Sequence, residues 1–202
     1  MRHISSASGG EERKTVLIAE DNTQSRRLLK DHLEALGYSV VAAVDNGEEA
    51  VSEAKRLHPS LVILDLKMPR MGGFDAAKII SSLISVPIVV VTGYSSEELA
   101  AEAVESGVFG YIVKPLTRKQ LLPAIKLAFE RYRQFQELKK EVMDLKDAVE
   151  ARKLIERAKG ILMKRCNIGE EEAFKLLQSH SQKENKKMRE IAGIVIEASK
   201  LI

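Results

Sequence analysis

The stretch LVILDLKMPRMGG, residues 61–73, decides how the chain folds. Residues 61–64 are an unbroken apolar run, the pattern of a strand buried on both faces. The run ends on Asp65. Pro69, Gly72 and Gly73 come next and cannot continue a strand, so they form a loop. One carboxylate therefore stands at the carboxyl end of a buried strand, at the mouth of a loop. In open parallel sheets that edge is where ligands and chemistry collect.

Outward from this stretch the chain alternates strand and helix. Residues 16–19 (VLIA) are a short apolar run ending on Glu20 and Asp21. A helical pattern over residues 25–36 puts Leu28, Leu29, Leu33 and Leu36 on one face, and Gly37 ends it. Residues 39–44 (SVVAAV) read as a strand and Asn46-Gly47 as a turn. The helix over 48–57 turns Ala50, Val51, Ala54 and Leu57 inward and closes at Pro59. Beyond the opening stretch lie a helix over 74–83 and a buried strand over 87–92 (PIVVVT). Ser95, Ser96 and Glu98 resemble an N-cap region. A helix carrying Leu99, Ala100, Ala103 and Val104 runs to Gly107. Residues 110–113 (GYIV) are the fifth strand, ending on Lys114 and Pro115. Such alternation predicts the α/β class, a doubly wound five-stranded parallel sheet with helices on both faces.

The polar groups share one edge. Glu20, Asp21, Asp65, Thr92 and Lys114 all fall at carboxyl ends of strands. Paired carboxylates perturb each other, and a hard cation such as Mg²⁺ relieves the repulsion. Asp21, Asn22 or Thr23 also suits the N-cap of the next helix, and one loop can serve both roles. An Asp beside such a cation is a nucleophile toward a phosphoryl group. Lys114 supplies a point positive charge, and the Thr92 hydroxyl can donate to a phosphoryl oxygen. The constellation predicts phosphoryl acceptance on Asp65. There is no P-loop and no GxGxxG, and no Ser, Cys or His arrangement for acyl transfer.

Residues 14–130 resemble a CheY-like receiver domain of a two-component response regulator. The resemblance rests on Glu20-Asp21, Asp65, the MPRMGG loop, Thr92 and Lys114-Pro115. It implies strand order 2-1-3-4-5, as in flavodoxin-like folds, and a cis Lys114–Pro115 bond. It further implies Mg²⁺ held by Glu20, Asp21, Asp65 and the backbone carbonyl of Lys67. Tyr111 matches the aromatic switch residue, and Lys67 and Tyr94 match positions that tune phosphoryl lifetime. Gly72 departs from the Asp common in the family. The implied phosphodonor is a sensor histidine kinase. An aspartate-nucleophile phosphatase is disfavoured, because Lys67 stands where its second acid is expected; the chain reads as a regulator, not an enzyme.

The rest of the chain has a different character. Residues 1–130 carry 15 basic and 17 acidic side chains, whereas residues 131–202 carry 17 and 12, so the excess positive charge lies in the second part. Leu121, Ile125, Ala128, Tyr132 and Phe135 alternate spacings of four and three. After one further step of three, Leu138, Val142, Leu145 and Val149 resume the alternation. This is a coiled-coil seam with a stammer over residues 121–150, suited to pairing with a second copy in a homodimer or with the C-terminal helices. From about residue 147 to 202 a small all-α domain of up to three helices follows. Leu154, Ile155, Ala158, Ile161 and Leu162 line one face, Asn167-Ile168-Gly169 breaks the helix, and Ala173, Phe174 and Leu177 point inward in the next. A polar stretch to Lys187 leads to a last helix with Ile191, Ile194, Val195 and Ala198. Periodicity alone leaves a DNA-binding helix-turn-helix, an RNA binder and a dimerising bundle open.

The wording of residues 151–196 is more specific. It resembles the ANTAR domain, an RNA-binding antiterminator module, through Arg152, Ile155, Ala158, Lys159, Gly160, Leu162, Met163, Ala173, Phe174, Leu177, Asn185 and Ala192. Residues 178–181 (QSHS) depart from the family's tendency toward Arg and Ala. The resemblance implies binding of hairpins in nascent mRNA, causing transcription antitermination under control of Asp65 phosphorylation. Arg152, Lys159, Lys164 and Arg165 are then candidate RNA contacts, with Lys186, Lys187 and Arg189 behind them.

Composition narrows the setting. A hydrophobic share of 45% with 30% charge is that of a globular chain. A single cysteine, Cys166, forms no internal disulfide, and no apolar run approaches the ~20 residues of a membrane span. Residues 1–13 are polar and read as a flexible tail without a signal-peptide core. A cytoplasmic location is expected.

Overall fold

A computed structural model of the chain describes residues 14–93 and 106–200. The expected tail, Tyr94 and the expected helix carrying Leu99 to Val104 lie outside the described residues. The chain divides into two compact units at residues 135 and 136.

In the first unit, five strands form one sheet: β1 (Thr15–Ala19), β2 (Ser39–Val44), β3 (Leu61–Asp65), β4 (Ile88–Thr92) and β5 (Gly110–Val113). Their order is β2-β1-β3-β4-β5. Every adjacent pair is parallel, as the alternation predicts. Among the described residues, three helices connect them: α1 (Thr23–Ala35), α2 (Gly47–Leu57) and α3 (Gly73–Leu83). Asn22 caps α1, its side chain accepting from the N–H groups of Gln24 and Ser25 at 3.1 and 2.9 Å. Buried Asn46 caps α2 through the N–H of Glu49 at 3.0 Å. The chain leaves α2 through His58 in the left-handed region, φ 45°, just before Pro59.

The period of two along each strand splits the core into two layers. Val16, Ile18, Leu61, Ile63, Val89, Val91 and Ile112 face α1, through Leu29 and Leu33. They also meet Leu121, Ile125 and Ala128 of a long helix, α4 (Arg118–Cys166). Leu17, Ala19, Val62, Leu64 and Ile88 face α2 and α3, through Ala50, Ala54, Ala76, Ala77 and Ile80. Fully burying one such aliphatic side chain stabilises by roughly 1.5–3 kcal/mol. The central strands β3 and β4 are buried at every position, which accounts for their unbroken apolar runs.

The helix α4 runs 49 residues without a break. Pro123 sits in its second turn, close enough to the start to be tolerated. In the second unit its last turns meet α5 (Glu170–Glu184) and α6 (Met188–Lys200) around Ala158, Leu177, Ile191, Ala192 and Ile196. Two expectations change here. The connector and the first helix of the small domain are one element. The stretch from Ser179 to Glu184 is helical as well, its solvated turns carrying no apolar stripe to mark them. The Glu172 carboxylate accepts the Gly169 N–H at 3.2 Å at the start of α5, and Asn185 ends the helix in the left-handed region, φ 52°.

Candidate functional site

Parallel register assembles the first site. Ala19 pairs with Leu64, so the next residues, Glu20 and Asp65, lie side by side at the carboxyl ends of β1 and β3. Thr92 pairs with Val113, and the Lys114 N–H donates to the Thr92 carbonyl at 2.8 Å, which brings Lys114 to the same edge. One carboxylate oxygen each from Glu20, Asp21 and Asp65 lies within 4.8 Å of the others. The Lys114 ammonium donates to Asp65 Oδ2 at 2.9 Å and to Glu20 Oε1 at 3.0 Å. The Lys114–Pro115 bond is cis.

Burial makes this cluster chemically tense. Glu20 is 1% exposed and Asp65 6%. Burial pushes the Glu20 carboxyl above its ordinary range; the Lys114 hydrogen bond opposes this and the Asp65 charge adds to it. Burial pulls the Lys114 ammonium down, but hydrogen bonds to Glu20 and Asp65 outweigh it, and the net shift is upward. Glu20 Oε2 is buried as well and lies 2.8 Å from the Lys114 ammonium. Three carboxylates with a single lysine between them keep acceptor capacity to spare, and this is the donor set a hard divalent cation takes. The residues present fit such an ion.

The other predicted residues are placed as follows. Thr92 is buried at the end of β4. Tyr111, on β5, is 57% exposed, its ring outside the core. The Lys67 N–H reaches toward Asp65 Oδ1 at 3.5 Å, within the loop that carries its carbonyl. Gly73 starts α3 directly against this loop: a Cβ there would stand 2.3 Å from the Asp65 carbonyl oxygen. Arg26 went unread in the sequence. Its guanidinium donates to the backbone carbonyls of Glu20 at 2.5 Å and Asp21 at 3.3 Å, bracing the acidic pair from α1.

In the second unit the basic residues divide. Lys159, one of the expected RNA contacts, is largely enclosed. It is 7% exposed, and its ammonium lies 2.6 Å from Glu170 Oε1 and 2.9 Å from Glu156 Oε1. The Glu170 hydrogen bond, followed by that of Glu156, raises its pKa. The single-helix pattern places Lys159 at the border of the apolar face, and α5 covers that border. Arg165 donates to the Ser199 carbonyl at 2.9 Å, at the last turn of α6. Lys186 pairs with Glu184 at 2.7 Å, and Arg189 stands 4.0 Å from Asp147. Arg152, Lys164 and Lys187 have no ion-pair partner among the described residues. Among the described residues, no helix is long and apolar enough to cross a membrane.

A CheY-like α/β unit with an acidic cluster and a lysine at its carboxyl edge, continued by one helix into a small helical unit, defines a receiver joined to an output domain. The model of the response regulator receiver domain matches residues 16–126 and that of the ANTAR domain residues 143–196, and the chain belongs to the response regulators built from these two domains. It is 41% identical to the transcriptional regulatory protein PdtaR of Mycobacterium tuberculosis over 184 residues, covering 91% of this chain and 90% of that one. It is 35% identical over 113 residues to the chemotaxis protein CheY of Thermotoga maritima, covering 55% of this chain and 94% of that one. The signal receiver domain of a modulated diguanylate cyclase from Desulfovibrio desulfuricans G20 superposes with a TM-score of 0.56 at 31% identity, over 61% of this chain and 98% of that one. The protein is a response regulator whose output is ANTAR-mediated, RNA-binding antitermination.

Proposed function

We propose that Asp65 is the phosphoryl acceptor and that its phosphorylation controls binding of residues 147–202 to hairpins in nascent mRNA. The carrying observation is the position of Asp65 Oδ2, 2.9 Å from Lys114 Nζ and inside a cluster of three carboxylates. The donor is a phosphohistidine on a sensor histidine kinase. The Asp65 carboxylate oxygen attacks phosphorus, the P–N bond breaks, and the histidine leaves as neutral imidazole, its other ring nitrogen already carrying a proton. Lys114 then holds a phosphoryl oxygen, and the Thr92 hydroxyl donates to another. Tyr111 acts as the switch aromatic. Glu20, Asp21, Asp65 and the Lys67 carbonyl would hold Mg²⁺, which would supply charge shielding for the phosphoryl oxygens.

Residues 14–130 receive the signal, 121–150 connect, and 147–202 deliver the output. The chain acts as a regulator in the cytoplasm, not as an enzyme with a released product. Homodimerisation through the connector is supported by Leu138, Val142, Leu145 and Val149, all exposed along one stripe of α4. Arg152, Lys164 and Lys187 are the best-placed phosphate contacts, with Arg165, Lys186 and Arg189 second; Lys159 supports the fold of the site.

The test uses the full chain. Radiolabelled acetyl phosphate with Mg²⁺ labels the wild type and not Asp65→Asn. Hairpin RNA binds tighter than duplex DNA at 150 mM salt, and beryllium fluoride shifts the affinity in the wild type alone. Label on Asp65→Asn, or a preference for duplex DNA, overturns the reading.

A further inference from the structure

The inward face of α1 carries Arg26, Leu29 and Leu33, spaced three and four apart. The two leucines are buried in the core. Arg26 stands one turn nearer the start of the helix and is half-buried. Helical side chains lean toward the N-terminus, so this one points back to the loop of Glu20, Asp21 and Asn22. That loop joins the end of β1 at Ala19 to the start of α1 at Thr23.

Both ends of the loop are tied down. The Glu20 N–H donates to the Val44 carbonyl at 3.1 Å, and the Asn22 side chain accepts the N–H groups of Gln24 and Ser25. Between these ties, Arg26 Nη1 donates to the carbonyls of Glu20 at 2.5 Å and Asp21 at 3.3 Å. The three carboxylates of the cluster are held differently. Glu20 and Asp65 are buried, and both accept from Lys114. Asp21 is exposed. Its carboxylate is placed by its backbone, and its backbone is held by Arg26.

We propose that Arg26 is a positioning residue that biases the acidic cluster toward Mg²⁺ over Ca²⁺ by fixing the backbone of Glu20 and Asp21. The inference rests on the cation-binding reading of the cluster and assigns its selectivity to a residue that itself ligates no ion. Mg²⁺ demands near-ideal octahedral oxygens at about 2.0–2.1 Å, whereas Ca²⁺ accepts an adaptable shell at about 2.3–2.6 Å. A braced loop keeps the three carboxylates close. A loose one lets the exposed Asp21 carboxylate drift outward, which harms the small, rigid shell more than the large, flexible one. Loss of an outer partner of a metal ligand lowers affinity by about 10–100-fold.

Bracing and charge have opposite signs here. A cation beside the site repels any divalent ion, so its removal as a bare charge strengthens Mg²⁺ and Ca²⁺ alike. Its removal as a brace weakens Mg²⁺. Lysine separates the two roles. Arg26 Nη1 carries two hydrogens whose directions the guanidinium plane fixes, one for each carbonyl. Lysine keeps the charge on a shorter stem, and its ammonium turns freely.

The unfolding temperature of the full chain, titrated with MgCl₂ and with CaCl₂ at constant ionic strength, gives both dissociation constants. Arg26→Met, a substitution that suits a helix, lowers Mg²⁺ affinity about tenfold and Ca²⁺ affinity by less than about twofold. Arg26→Lys lowers the ratio of Mg²⁺ to Ca²⁺ affinity about threefold. A wild type that takes up neither ion overturns both the cation reading and this one. A wild type that binds, with the same ratio in both variants, overturns the brace alone. So does a gain for both ions in Arg26→Met, the mark of a bare neighbouring charge, or an equal loss for both, the mark of a collapsed site. Where Arg26→Met loses its helix signal in EDTA, Arg26→Lys decides by the same ratio, and a ratio equal to that of the wild type overturns the brace.

Discussion

The Lys159 ammonium lies 2.6 Å from Glu170 Oε1, across the turn that separates α4 from α5. A second carboxylate, Glu156, holds it from the preceding turn of its own helix at 2.9 Å. Lys159 thus fastens the corner of the small domain and does not offer a free charge to phosphate. Replacing it by Met lowers the unfolding temperature of the full chain and leaves the salt dependence of RNA binding unchanged. Lys164→Met does the reverse, since each lost phosphate contact on a single strand lowers the slope by about 0.7. If Lys159→Met lowers the slope by that amount at unchanged stability, the fastening role is wrong.

The same pair sets a pH dependence. The Lys159 hydrogen bond holds the Glu170 carboxyl below its ordinary value of 4.5. A depressed folded pKa contributes stability that is present above 4.5 and lost as pH falls through the folded value. Urea unfolding of the wild type, followed by helix signal from pH 7 to pH 3, therefore falls more steeply below pH 4.5 than that of Glu170→Gln. Parallel curves for the two proteins would show that the pair carries no such linkage.

Close backbone packing beneath Asp65 gives a contrast between adjacent glycines. A Cβ at Gly73 would come within 2.3 Å of the Asp65 carbonyl oxygen and 3.0 Å of Leu66 Cα, both backbone atoms that cannot swing away. At Gly72 the nearest approach is 3.3 Å, to the Leu66 carbonyl oxygen. Gly73→Ala should destabilise by about 1–3 kcal/mol, the range for overpacking, and slow labelling of Asp65 by displacing its loop. Gly72→Ala should change the urea midpoint far less. Equal midpoints for the two variants would refute the close approach.

How far the residues disclosed this architecture depends on what each signal measures. The strand before Asp65 was legible because burial on both faces leaves four apolar residues in a row, then a loop. Lys114 is 49 residues from Asp65. It could be assigned to the same edge only because both end parallel strands. Continuity of α4 was less legible. Leu121, Ile125 and Ala128 serve one core, and Ile155, Ala158 and Ile161 serve another. A stripe that changes face reads as two helices, although nothing between Pro123 and Gly160 breaks one. The partners of Lys159 were invisible, because Glu170 reaches it only through the turn at Asn167 to Gly169.

Cation binding offers a direct check on the acidic cluster. Glu20 is buried beside two other carboxylates, with Lys114 as the counter-charge to Glu20 and Asp65. An ion that binds the folded state alone stabilises it by about 2.7 kcal/mol at a hundred times its dissociation constant. For a domain of this size that is on the order of 10 °C in unfolding temperature. Wild-type protein moved from EDTA into saturating Mg²⁺ gains this increment. Glu20→Gln and Asp21→Asn lose most of it while retaining the fold in EDTA. An equal Mg²⁺ gain in wild type and both variants would place the ion elsewhere.

The last prediction concerns the stripe on α4. Leu138 and Leu145 are each 60% exposed, Val149 54% and Val142 42%. Four apolar side chains at spacings of four, three and four form a seam that a second helix can bury. Each leucine so covered contributes roughly 1.5–3 kcal/mol, and the copy of the same stripe on another chain is its natural complement. Leu138→Glu with Leu145→Glu places two carboxylates in that contact, where neither finds a partner. The wild type then sediments as a dimer at micromolar concentration, more completely with beryllium fluoride. The double variant remains monomeric with unchanged helix content, because both positions are exposed in the single chain. Identical masses for the two proteins under both conditions would rule out the seam as the dimer contact.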